Sequence, residues 1–81
     1  RYDIMLEPID KNNESFPGVV IEFKVFNAKK EDTLEETAEN ALRQIKEKNY
    51  DAELIKRGVK KEKIRHYGFA FKGKEVLIVQ G

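Results

Sequence analysis

Two charged side chains interrupt the most apolar stretch of this sequence. In Val19-Val20-Ile21-Glu22-Phe23-Lys24-Val25-Phe26, Glu22 and Lys24 stand two positions apart among β-branched and aromatic residues that favour a strand. Side chains alternate across a strand, so the pair shares one face at a spacing of roughly 6–7 Å. Charge in so apolar a strand is costly without a partner or a purpose. The first strand has the same peculiarity: Asp3 sits among Tyr2, Ile4, Met5 and Leu6. If the two strands pair as a hairpin, Asp3 comes into the neighbourhood of Glu22. Two carboxylates and the backbone carbonyl of Phe23 would then form a hard-oxygen site suited to Mg2+, or to Mn2+, with waters and a substrate phosphate completing the coordination. One ion and two ions are both compatible with these residues. The Lys24 ammonium would hold an attacking water, help lower its pKa, and stabilise charge developing on a phosphorane-like transition state.

The rest of the composition narrows the metal. The 81 residues contain no cysteine, which excludes disulfides and thiolate sites, and a single histidine, which excludes a multi-histidine zinc site. Oxygen ligands remain, and with them magnesium, manganese or calcium. The formal net charge of +1 decides nothing about a nucleic-acid partner, so the distribution of charge must. Lys56, Arg57, Lys60, Lys61, Lys63 and Arg65 place six positive charges against the single acid Glu62, the best candidate run for phosphate contacts. A solvated loop flank is the plainer reading of the same run. No apolar stretch approaches the roughly 20 residues of a membrane span. No signal peptide is visible, and a cytoplasmic location is the expectation. The sequence opens on Arg1 without an initiator methionine, which reads as a fragment or trimmed chain.

Positioning these residues requires a small α/β unit over residues 1–81. Tyr2 to Leu6 reads as a strand stopped by Pro8, Ile9 to Gly18 as a polar loop, and Val19 to Phe26 as the strongest strand. Thr33-Leu34-Glu35-Glu36 is a capping box that starts a helix running to about Lys48, with Leu34, Ala38, Ala41, Leu42 and Ile45 on one face. A short helix from about Asp51 to Arg57 ends at Gly58. Ile64 to Phe71 and Glu75 to Val79 are strands joined by a tight Lys72-Gly73-Lys74 turn. The long helix is a crossover, so the third strand can lie parallel to the second and a mixed sheet follows. Tyr67, Phe69 and Phe71 point one way, as core. His66, Gly68 and Ala70 point the other, where small residues let a helix approach. One helical layer leaves half the sheet uncovered.

Asp3, a loop, and Ile21-Glu22-Phe23-Lys24 in an apolar strand resemble the D…E-x-K signature of the PD-(D/E)XK nuclease superfamily. Gln44 matches a glutamine that several branches carry on the following helix. Arg1-Tyr2-Asp3-Ile4-Met5, Ala41-Leu42-Arg43-Gln44-Ile45 with Tyr50, and Tyr67-Gly68-Phe69-Ala70-Phe71-Lys72-Gly73-Lys74 extend the resemblance over nearly the whole chain, to a bacterial branch usually found C-terminal to an AAA-ATPase-like domain. The resemblance implies a restriction-endonuclease-like α/β fold, N-terminally truncated because the first core helix and strand are absent. It implies a Mg2+- or Mn2+-dependent nuclease acting on nucleic acid, with DNA expected. Asp3, Glu22 and the Phe23 carbonyl would hold the ion, Lys24 would position the water, and Gln44 would support the site.

Other residues take simpler assignments. His66 reads as a packed or hydrogen-bonded histidine, and Glu31, Asp32, Glu35, Glu36 and Glu39 as helix-start and surface charge. Two rival functions are compatible with the same residues: a binding or regulatory module that has lost turnover and couples an ATPase to nucleic acid, and an interaction domain that forms a homodimer through an exposed sheet edge.

Overall fold

The computed structural model describes residues 18–81 in full and residues 2–6 through their backbone pairing. Of the expected polar loop only its last residue, Gly18, lies within that range, and the side chains of residues 2–6, Asp3 included, lie outside it. The elements are β1 (Tyr2–Leu6), β2 (Gly18–Val25), α1 (Leu34–Lys48), α2 (Tyr50–Lys56), β3 (Ile64–Lys72) and β4 (Glu75–Gln80). The strands form one mixed sheet in the order β1-β2-β3-β4: β1 antiparallel to β2, β2 parallel to β3, and β3 antiparallel to β4. A parallel neighbour needs a crossover, and α1 with α2 supplies it. This is the mixed α/β sheet with a crossover helix expected from the order of elements.

Local chemistry sets the boundaries. The Thr33 hydroxyl accepts from the Glu36 amide at 3.2 Å and starts α1 as the capping box requires. Asn49 ends it with φ 54, the left-handed conformation that asparagine tolerates better than other side chains. Its amide closes onto the Ile45 and Lys46 carbonyls, and α2 begins at the next residue. At Gly73, φ is 60 in a two-residue turn between the paired Lys72 and Glu75, which suits a turn that needs a positive φ. A short 3-10 turn over Lys61–Lys63, not expected from the sequence, leads into β3.

The helical layer covers one face only. Val20, Ile45, Leu54 and Val59 form the core there, with Leu42, Tyr50 and Ile64 packed against it. The close approach is made at Gly68, where a Cβ would meet the Ala38 carbonyl oxygen at 2.5 Å and the Ala41 Cβ at 3.2 Å. On the other face Phe23 meets Phe69 edge-on at 5.1 Å and Phe71 stacked at 5.9 Å. These aromatics are only half-buried, and Val25, Val76 and Ile78 beside them are exposed. Among the described residues no helix packs on this face, and no helix is long and apolar enough to cross a membrane.

Candidate active site

Glu22 lies on the helix-covered face of β2 and is 0% exposed. Such a carboxylate requires a counter-charge, and Lys48, from the last turn of α1, brings its Nζ to 3.2 Å from Oε1. Lys24, two residues along β2, shares that face and is 22% exposed. The expected strand pairing places the Cα of Asp3 opposite the Cα of Glu22. Directly paired positions in an antiparallel ladder fall on the same face of the sheet.

The backbone refines this pairing. The Phe26 amide donates to the Phe71 carbonyl at 2.8 Å, so the even-numbered residues at this end of β2 direct their amides and carbonyls toward β3. The alternate residues, Phe23 among them, face β1. Glu22 therefore makes no ladder bond to β1, and Asp3 with Glu22 is a non-hydrogen-bonded pair, the kind whose Cα atoms approach to about 4.5 Å. The Phe23 carbonyl is directed to the same side, beside the strand that carries Asp3.

A polar row on α1 faces β2. Thr37, Asn40, Gln44 and Lys48 recur at the three- and four-residue spacing that lines one side of a helix. Lys48 reaches Glu22, while Thr37 and Asn40 reach Glu31 beside Lys24. Gln44 falls between these contacts on the border of the apolar arc. Its Oε1 is buried and has no hydrogen-bond partner among the described residues, a state that calls for an explanation.

Glu31 corrects the expectation of surface charge. It is 3% exposed and folded under the start of α1. Burial raises its pKa, but hydrogen bonds from the Asn27 amide, the Asn40 side chain and the Thr37 hydroxyl, together with the nearby Lys24 charge, bring the carboxyl below its ordinary value. Sequence inspection misses it because it stands in a run of acids. The signal available was Asn27, whose side chain closes a turn onto the Lys29 amide at 3.0 Å and sends the chain back toward the helix.

His66 behaves as the hydrogen-bonded histidine expected: its Nε2 lies 2.6 Å from Asp51 Oδ1, tying β3 to the first turn of α2. In the basic run, Arg57 pairs with Glu53 at 3.0 Å, and the Arg65 guanidinium donates to the carbonyls of Glu62 and Ile64 at 3.0 and 3.2 Å. Lys56, Lys60 and Lys61 are exposed, Lys63 is half-buried, and the buried Val59 fixes the segment to the core.

The donors offered are hard: the Glu22 carboxylate, the register position of Asp3 and the carbonyl side of Phe23. They fit a Mg2+- or Mn2+-class ion. Among the described residues no three histidine, cysteine, aspartate or glutamate side chains converge, so the second carboxylate rests on the register of Asp3. A family model described as PD-(D/E)XK nuclease superfamily matches residues 1–81. No curated protein and no solved structure matches the chain. With every residue matched and the acid positions of β1 and β2 paired in the sheet, the chain belongs to the PD-(D/E)XK nuclease superfamily.

Proposed function

We propose that this chain carries the catalytic face of a metal-dependent nuclease that hydrolyses nucleic-acid phosphodiester bonds, with DNA as the substrate. The observation that supports this most is the pairing of Asp3 with a fully buried Glu22, with Lys24 on the same face of the strand. Asp3, Glu22 and the Phe23 carbonyl would hold Mg2+ or Mn2+, which when bound supplies Lewis-acid polarisation and counter-charge for the phosphate. Lys24 donates hydrogen bonds to the attacking water and to the phosphate oxygens, which gain charge as the bond to phosphorus forms. Gln44, with a buried acceptor oxygen, orients a water on the helix side of the site. Lys56, Lys60, Lys61 and Lys63 draw the phosphate backbone toward the sheet, where Arg57 and Arg65 sit in partly engaged geometry. An AAA-ATPase-like domain in the same polypeptide is the partner proposed for the whole protein, and β4, an outer strand with Val76 and Ile78 exposed, is the edge proposed for a homodimer.

Calorimetry and plasmid nicking test the site together. The wild-type chain is expected to bind Mn2+ and Glu22→Gln is expected not to. Lys24→Ala keeps the metal affinity and loses nicking by about 100-fold or more, the scale on which removal of one transition-state donor is felt. Nicking by Lys24→Ala at the wild-type rate would remove the lysine from the mechanism, and metal binding by Glu22→Gln equal to wild type would remove the carboxylate.

A further inference from the structure

The turn after β2 presents a second charged group to Lys24. The Lys30 and Glu31 amides both donate to the Asn27 carbonyl at 2.9 Å, which closes the turn and fixes where the Glu31 side chain starts. Its Oε1 then accepts from the Asn27 amide at 2.9 Å and from the Thr37 hydroxyl at 2.8 Å. Oε2 accepts from the Asn40 amide group at 2.8 Å and lies 3.7 Å from Lys24 Nζ. Three neutral donors therefore lock the carboxylate in place independently of the lysine.

We propose that Glu31 is the positioning residue for Lys24: a pre-oriented, buried anion that aims the ammonium across the face of β2 toward the phosphodiester. The inference rests on the nuclease reading of Lys24. A lysine on its flexible four-carbon stem has no fixed direction of its own, and ordering it costs side-chain entropy. A surface carboxylate would offset little of that, because both partners would remain mobile and hydrated. Glu31 differs because it is already desolvated and held, so only the lysine needs to be ordered. The separation matters too. At 3.7 Å the pair lies beyond hydrogen-bond range, so attraction steers the ammonium without occupying its protons. Those protons stay available to the water and the phosphate oxygens. The lowered pKa of Glu31 agrees with a group kept ionised for this purpose.

The test compares Glu31→Gln with Thr37→Val in the full chain. The first removes the charge at constant size; the second removes one donor and leaves the charge. Glu31→Gln is expected to lower kcat for nicking by about 10- to 100-fold, the effect of a misplaced catalytic group, with KM and Mn2+ affinity unchanged. Thr37→Val is expected to lower the melting temperature and keep kcat. NMR supplies a readout apart from activity: the two ε-protons of Lys24 should have distinct shifts in wild type and should merge in Glu31→Gln as the ammonium swings freely. Unchanged kcat in Glu31→Gln, or an equal loss in Thr37→Val, overturns the proposal. If the wild-type chain nicks no DNA, the nuclease reading fails, and the NMR comparison alone decides the positioning: merging in Glu31→Gln supports it and persistence overturns it.

Discussion

Lys48 holds the place of a cation at Glu22. A carboxylate this buried is stable only beside positive charge, and the lysine provides it at 3.2 Å. A divalent ion on the same oxygen would meet an ammonium already there, and like charges repel. Replacing Lys48 by Met should therefore raise Mn2+ affinity measured by calorimetry. It should also destabilise the metal-free chain by on the order of 2 kcal/mol, the cost of removing a charge-assisted hydrogen bond, and added Mn2+ should restore that loss. A fall in Mn2+ affinity would instead make Lys48 a support of the ion site. At this scale the sequence is informative where a charge breaks a pattern. Glu22 and Lys24 stand out against apolar neighbours. Glu31 does not, since it sits near Asp32, Glu35 and Glu36 and shares their polarity. Its burial follows from a turn that folds it under α1, and a composition-based reading is blind to that.

The elements depend on one close approach. Strand β3 meets α1 through Gly68, and this lets the Thr37, Asn40, Gln44 and Lys48 row reach across to β2. Gly68→Ala would place a methyl group 2.5 Å from the Ala38 carbonyl oxygen, where backbone must move to admit it. The expected loss is about 1–3 kcal/mol, the range for overpacking, read from urea unfolding. Unchanged stability would show that the helix can retreat without cost. The capping box, the crossover helix and the Gly73 turn are all legible in the sequence, because each depends on residues close together along the chain. The join at Asn49 is less so: asparagine at φ 54 lets α2 begin at Tyr50, directly after α1, where the sequence alone suggests a break of two residues.

For the whole molecule, charge and coverage are uneven. The net charge of +1 conceals a basic segment between α2 and β3, anchored by Val59 and shaped by the Lys61–Lys63 turn. Replacing Lys60, Lys61 and Lys63 together by Ala should weaken DNA binding at low salt. It should also flatten the plot of log affinity against log salt by about 0.9 for each duplex phosphate no longer neutralised. Fluorescence anisotropy across a salt series measures both. An unchanged slope would place the DNA on another surface. Opposite the helical layer, Phe23, Phe69 and Phe71 share a half-buried cluster with exposed Val25, Val76 and Ile78. The expectation that one helical layer leaves half the sheet uncovered agrees with this, and it is why these aromatics are less buried than core residues.

The sequence by itself determined the elements, the mixed sheet and the charged positions of β2, because alternation, capping and turn chemistry act over a few residues. Only the tertiary structure decided which groups meet. The register set Asp3 against Glu22, the crossing of α1 brought Lys48 and Gln44 over the strand, and the Asn27 turn delivered Glu31 to Lys24. The first two join residues distant along the chain and follow from strand register and from how closely one helix can lie on one sheet, while the third depends on a turn that folds the chain back under that helix.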